Sequence, residues 1–165
     1  LLLNCVTKFK YRQMIHDIKL ASLIYLPPSH PSKMETPISI ESIPAGFPSP
    51  AAEYAVDYLD FNEYLIHNPP ATITVRCGGE SMNDAGINKD DLLIIDRSAT
   101  PRHMDVVLAD LGNEYTIKRL HVLAKGQYEL HSENSKVNYP SFYCRGEEGF
   151  SVIGVVMFVI KAFRS

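Results

Sequence analysis

The sequence predicts a mainly β domain preceded by an irregular, proline-punctuated arm. Three observations carry this. Short runs rich in β-branched and apolar residues recur through the second half of the 165-residue chain. Turn-forming residues separate them: Gly86, Asn88, Pro101, Gly112-Asn113, Gly126 and Pro140. Seven prolines fall within residues 27–50, too many for a helix or an inner strand. Many short strands at such spacing point to an antiparallel β domain rather than a parallel sheet with crossover helices.

The elements are predicted as follows. Residues 8–26 place Phe9, Ile15, Ile18, Leu23 and Leu26 partly in helical phase, which suggests an amphipathic helix. Pro27, Pro28, Pro31 and Pro37 then break regular structure, and Ile38, Ile40 and Ile43 give only a partial strand pattern. Residues 51–67, alanine-rich and then aromatic, suggest a short helix followed by a strand around Tyr64-Leu65-Ile66. Strands are expected over 71–77, 91–96, 105–109, 115–122, 128–131 and 150–162. The last contains Val152-Ile153-Gly154-Val155-Val156-Met157-Phe158-Val159-Ile160, nearly all apolar. Such a strand must be covered on both faces, as a central core strand or as one that also forms a dimer seam. The chain divides into an arm over 1–50 and a compact domain over 51–165.

Composition narrows the function classes. Apolar content of 45% and charged content of 21% are ordinary for a globular domain. A net charge of −3 excludes a general nucleic-acid binder for the chain as a whole. The first 33 residues are different, with Lys8, Lys10, Arg12, Lys19 and Lys33 against Asp17, a basic arm that is either solvated or in contact with DNA. Cys5, Cys77 and Cys144 are widely spaced and offer no disulfide framework or zinc pattern, so reduced thiols in a cytoplasm are expected. No apolar run reaches the roughly 18 residues of a membrane span. The start, Leu1-Leu2-Leu3-Asn4-Cys5-Val6, is too short for a secretory signal, and its first residue is not Met, which leaves room for a preceding segment.

The residues with the most chemical content are Ser81 and Lys118. Ser81 lies in Gly78-Gly79-Glu80-Ser81-Met82, a small-residue turn after a strand. The glycines permit unusual backbone angles and close approach of another chain segment, and the N–H groups of Glu80 and Ser81 are candidates for an oxyanion hole. A serine that merely caps a turn fits the same pattern. Lys118 lies in Tyr115-Thr116-Ile117-Lys118-Arg119-Leu120, where strand alternation puts Thr116, Lys118 and Leu120 on one face. If that face is inward, Lys118 is buried; if outward, it is an exposed strand lysine. A lysine must be desolvated by roughly 4–5 kcal/mol to be neutral near pH 7, since its isolated pKa is about 10.4. A neutral lysine can then activate a serine hydroxyl. Pro44-Ala45-Gly46-Phe47-Pro48 supplies a small-residue peptide bond in the arm, suited to being cut.

Other chemistries have less support. His16, His30, His67, His103, His121 and His131 show no metal-ligand spacing, and no metal or cofactor is expected. Asp90, Asp91 and Asp96 read as solvated turn and strand-edge residues. No nucleophile-elbow, phosphate-loop or dinucleotide motif is present.

Taken together, Ala45-Gly46-Phe47-Pro48-Ser49-Pro50-Ala51-Ala52-Glu53-Tyr54, Gly79-Glu80-Ser81-Met82, Asp91-Leu92-Leu93-Ile94-Ile95-Asp96, Tyr115-Thr116-Ile117-Lys118-Arg119-Leu120 and Gly154-Val155-Val156 resemble the LexA/UmuD family of self-cleaving Ser–Lys peptidases, UmuD most closely. The resemblance runs over 44–164, and the spacing agrees, with Ser81 36 residues after Ala45 and Lys118 37 after Ser81. It implies a LexA-like β domain of the β-clip type and attack by Ser81 on the Ala45 carbonyl with Lys118 as base. It implies a homodimer, and single-turnover cleavage between Ala45 and Gly46 stimulated by the RecA–single-stranded-DNA filament. It implies a DNA-damage role, either beside a translesion polymerase or as a repressor on operator DNA. Two departures stand out. UmuD-type proteins usually carry Cys-Gly at the cut, whereas this chain has Ala-Gly, and Asp90 stands where the family often has Gly.

Overall fold

The computed structural model describes residues 33, 35–40, 42–43, 45, 56–112, 114–144 and 149–164. The helix expected over 8–26, the basic residues before Lys33, Cys5 and Gly46 lie outside the described residues.

The fold is mostly antiparallel β, as the sequence predicts. Strands β1 (Glu35–Ser39) and β2 (Val56–Asp60) form a two-stranded sheet with Ser39 opposite Val56. Pro37 lies in β1, opposite Tyr58; a two-stranded sheet has only edge strands, where a proline's missing donor is tolerated. This pairing joins residues on both sides of the expected arm boundary at 50. It also closes the intervening loop that contains Ala45.

Of the stretch expected to run from helix to strand, 51–55 lie outside the described residues, and the order over 56–65 is strand then helix. β2 comes first, and a five-residue helix, α1 (Phe61–Leu65), covers the segment expected to be strand. The reason is local: Asp60 ends β2 in extended geometry and its carboxylate accepts the Asn62 N–H at 2.8 Å, capping the helix. Tyr64 and His67 then pack on Phe158, with ring centroids 5.4 and 6.1 Å away.

The main sheet contains β3 (Thr72–Arg76), β4 (Leu92–Asp96), β5 (Val106–Asp110), β6 (Tyr115–Val122), β7 (Tyr128–His131), β8 (Phe142–Cys144) and β9 (Ser151–Ile160). Their order is β3-β4-β9-β5-β6-β7-β8, and every neighbouring pair is antiparallel. β8 was not foreseen; three residues after the irregular 132–141 stretch leave almost no periodic signal.

The sheet's centre is buried on both faces. Val107, Ala109, Leu120, Leu130, Val152 and Val155 belong to one core cluster; Leu108 and Ile153 join Cys77, Met82, Ile87, Leu93 and Ile95 in the other. This double burial explains the continuous apolar runs of β4, β5 and β9. β9 also carries two bulges. Its pairing with β5 skips Ile153 and its pairing with β4 skips Met157, so strict alternation fails along it. Coverage on both faces holds for its first half; Met157, Val159 and Ile160 in the second half are exposed.

The acidic cluster is more structural than the sequence suggested. Asp91 is buried, accepts the Asn88 N–H at 2.7 Å and pairs with Lys161 just after β9. Burial alone would raise its pKa, but the bond from Lys161, the Asn88 bond and the lysine's charge together hold it below the usual carboxylate value. Asp90 adopts φ 72°, the left-handed region, where aspartate is one of the better-tolerated non-glycine residues. The turn therefore keeps the conformation that a glycine would supply.

Gly154 is required for space. A Cβ there would sit 2.7 Å from Ile95 Cγ2 and 2.8 Å from the Asp96 carbonyl oxygen. Gly154→Ala is expected to destabilise the protein by about 1–3 kcal/mol, the usual cost of overpacking a tight core. Urea unfolding followed by circular dichroism measures this; an unchanged midpoint would contradict the packing described.

Candidate active site

The turn carrying Ser81 is suspended between two buried residues. At one end the Cys77 N–H donates to the Asp91 carbonyl at 2.8 Å, and the Cys77 carbonyl accepts the Asp90 N–H at 2.8 Å. At the other end Met82, 1% exposed, accepts the N–H groups of Ala85 and Ile87, both at 3.1 Å. Between these anchors Gly78 and Gly79 have no positive φ, and a Cβ on either would meet nothing within 4 Å. The expectation of unusual backbone angles there is corrected. What the glycines provide is open space beside the serine.

Lys118 comes from β6. The alternation read from the sequence holds: Lys118 and Leu120 are buried, whereas Ile117 and Arg119 are only half-buried. Lys118 lies opposite Val107 in the register with β5. The residue is only 4% exposed, and its Nζ donates to Ser81 Oγ at 2.6 Å. Burial is the largest influence on this lysine and pulls its pKa below the ordinary value; the nearby Cys77 sulfur acts in the opposite direction. Nζ also lies 5.6 Å from the centre of the Tyr139 ring, a face that favours a cation. The geometry thus joins a serine hydroxyl to a desolvated amine across 37 residues of sequence.

A cleft of roughly 410 Å³ opens beside Ser81. The 75–79 strand end and Ser81 form one wall, and Tyr115, Thr116 and Ile117 of β6 contribute to the other. Among the described residues, the N–H groups of Glu80 and Ser81 have no acceptor, which leaves them available to an oxyanion. Ala45 is an exposed bend residue and does not line this cleft.

Sequence reasoning missed the segment that backs the Ser81 turn. The Glu133 N–H donates to the Ser81 carbonyl at 2.9 Å, and Asn134 Nδ2 donates to the Glu80 carbonyl at 2.7 Å. Arg119 forks onto Glu133 with two bonds of 2.8 Å and also donates to the Met104 carbonyl at 2.7 Å. No motif marks Glu133-Asn134; in sequence it is an ordinary polar loop. The histidines His103, His121 and His131 form a row, edge-to-face in the first pair and tilted in the second, with ring centroids 5.5 and 5.3 Å apart. Among the described residues no cluster of His, Cys, Asp and Glu has the geometry of a metal site, and no helix is long and apolar enough to cross a membrane.

The family model described as Peptidase S24-like matches residues 37–157. The chain belongs to this family. Protein ImpA of Salmonella typhimurium is 39% identical over 146 residues, which cover 87% of this chain and 97% of ImpA. Protein SamA of Salmonella typhimurium (strain LT2) is 38% identical over 143 residues, with the same coverage of 87% and 97%. The LexA repressor of Paracidovorax citrulli is 33% identical over 138 residues, 83% of this chain and 59% of the repressor. The resemblance to the LexA/UmuD family, on its UmuD-like side, is therefore correct, and the mainly β peptidase fold goes with it.

Burial of the amine has a stability consequence. With its pKa lowered by folding, Lys118 binds a proton less readily in the folded chain than in the unfolded one. Its contribution to stability therefore rises as pH climbs from the folded pKa to the ordinary lysine value, and is unfavourable below that window. Lys118→Met is expected to raise Tm at pH 7, with the gap narrowing as pH rises toward the ordinary lysine pKa. A thermal-unfolding series from pH 7 to 10.5 checks this; a gap independent of pH would contradict it.

Proposed function

We propose that this protein is a self-cleaving serine peptidase of the DNA-damage response, with Ser81 as nucleophile and Lys118 as general base. The carrying observation is the 2.6 Å contact between Lys118 Nζ and Ser81 Oγ with the lysine buried. The substrate is the chain's own Ala45–Gly46 bond, brought to the cleft from the loop closed by β1 and β2. A tethered bond needs little affinity, because its local concentration is high. The filament of RecA on single-stranded DNA acts by favouring the docked arrangement.

The steps use only groups of this chain and water. Neutral Lys118 takes the Ser81 Oγ proton as Oγ bonds to the Ala45 carbonyl carbon. The resulting oxyanion is held by the N–H groups of Glu80 and Ser81. The Ala45–Gly46 C–N bond breaks as the Lys118 ammonium protonates the leaving Gly46 amine. Water, deprotonated by Lys118, then hydrolyses the Ala45 ester and returns Ser81 Oγ–H. Each molecule cuts itself once.

The protein is read as a cytoplasmic homodimer whose shortened form assists a translesion polymerase. The higher identity to ImpA and SamA, over nearly their whole length, supports this. The rival role, a repressor released from operator DNA by the same cut, is supported by the Ala-Gly site and the basic 1–33 segment. Operator binding by the intact chain that cleavage abolishes would favour the rival.

Purified protein incubated across pH 7 to 11 and analysed by mass spectrometry tests the peptidase. New termini at Ala45 and Gly46 are expected, forming faster as pH rises through the Lys118 pKa, because only the neutral amine is a base. Ser81→Ala and Lys118→Ala are each expected to reduce scission by at least about 1,000-fold, the scale seen when members of a nucleophile–base pair are removed. Residual cutting near the wild-type rate in either variant would refute the assignment.

A further inference from the structure

We infer that Asn134 is a positioning residue for the oxyanion site: by holding the Glu80 carbonyl, its side-chain amide fixes the direction of the Ser81 N–H. This rests on the peptidase reading above. The peptide unit is planar. In a trans peptide the carbonyl and the following N–H point in opposite directions. The Glu80 carbonyl and the Ser81 N–H share one such plane, so whatever anchors the first aims the second.

The anchor is specific. Asn134 Nδ2 donates to the Glu80 oxygen at 2.7 Å, while the Asn83 N–H reaches the same oxygen at 3.3 Å. With the Asn83 amide turned so that its nitrogen faces acceptors, it adds a further contact of 3.2 Å. Asn134 is therefore the shortest of the donors to this carbonyl. Its amide orientation is set by its own neighbours: Oδ1 accepts the N–H groups of Lys136 at 2.9 Å and Val137 at 3.2 Å, which leaves Nδ2 for Glu80. The next peptide is anchored from the same side, since the Glu133 N–H donates to the Ser81 carbonyl.

The brace is built on the strand that also supplies the amine. Arg119 follows Lys118 on β6 and points to the other face, where its bidentate bond to Glu133 holds the 133–134 segment. Lys118 thus meets the Ser81 side chain while Arg119, through Glu133 and Asn134, sets the Ser81 backbone. A neighbouring anchor completes the pattern, with the Cys77 thiol 3.4 Å from the Gly79 carbonyl, whose peptide carries the Glu80 N–H.

Asn134→Asp separates orientation from folding. Aspartate keeps the oxygen that accepts from Lys136 and Val137 but loses the donor to Glu80. Self-cleavage of the full chain is followed from pH 7 to 11, with Tm measured in parallel. The expected result is a plateau rate lowered about ten-fold, less than the 100-fold or more of losing an oxyanion donor outright, because other donors to Glu80 remain. Tm is expected to fall by no more than a few degrees, the cost of about one lost hydrogen bond in a domain of this size. Asn134→Ala is expected to show at least as large a plateau loss. A wild-type plateau in both variants, a change confined to the pH midpoint (a charge effect on Lys118), or a rate loss that merely follows a fallen Tm would each overturn the inference while leaving the peptidase standing. A wild-type chain that never cuts itself would overturn both.

Discussion

The structure depends on one contact between a buried amine and a hydroxyl. Lys118 Nζ and Ser81 Oγ lie 2.6 Å apart, and little else in the site has chemical meaning without them. A lysine that is only 4% exposed is an unfavourable residue to fold around. The fold accommodates it by placing it on a strand whose neighbours, Val107 and Leu120, are themselves fully or nearly fully buried. The same desolvation that costs stability lowers the lysine's pKa, which is what the proposed role as base requires. Stability and reactivity therefore pull in opposite directions at this position.

The rest of the domain can be understood as the means of keeping that contact in register. Buried Cys77 and Met82 tie down the two ends of the serine turn, and Asp91 with Lys161 links the start of β4 to the end of β9 beside it. The 133–134 segment supports the turn from behind. These hydrogen-bonded and apolar anchors hold the serine turn against β4, β9 and the 133–134 segment. The proposed scissile bond, Ala45–Gly46, falls in sequence between β1 and β2, which pair with each other.

Much of this was legible in the sequence, and unevenly so. The strands from β3 to β7 and β9 announce themselves because their runs are β-branched and bounded by turn residues, and alternation alone paired Lys118 with Leu120 on one face. Whether that face was inward could not be read from β6 itself; it depends on Val107 and Leu130 in strands brought alongside by the topology. The order of β2 and α1 was misread because aromatic residues at Tyr64 suit a strand, while the capping role of Asp60 shows only once β2 has a partner. Asp91 looked solvated because its partner, Lys161, is 70 residues away. Asn134 gave no signal at all, since its part is played by a single side-chain bond to a backbone carbonyl 54 residues earlier.

The most direct test of the account is the titration of Lys118 in the intact protein, followed by NMR of a label at its Cε with Ser81→Ala as a non-cutting background. The account predicts a midpoint below that of an ordinary lysine, rising when the surroundings are made wetter by Val107→Ser. A Lys118 that titrates at or above the ordinary lysine value, with the fold intact, would contradict it.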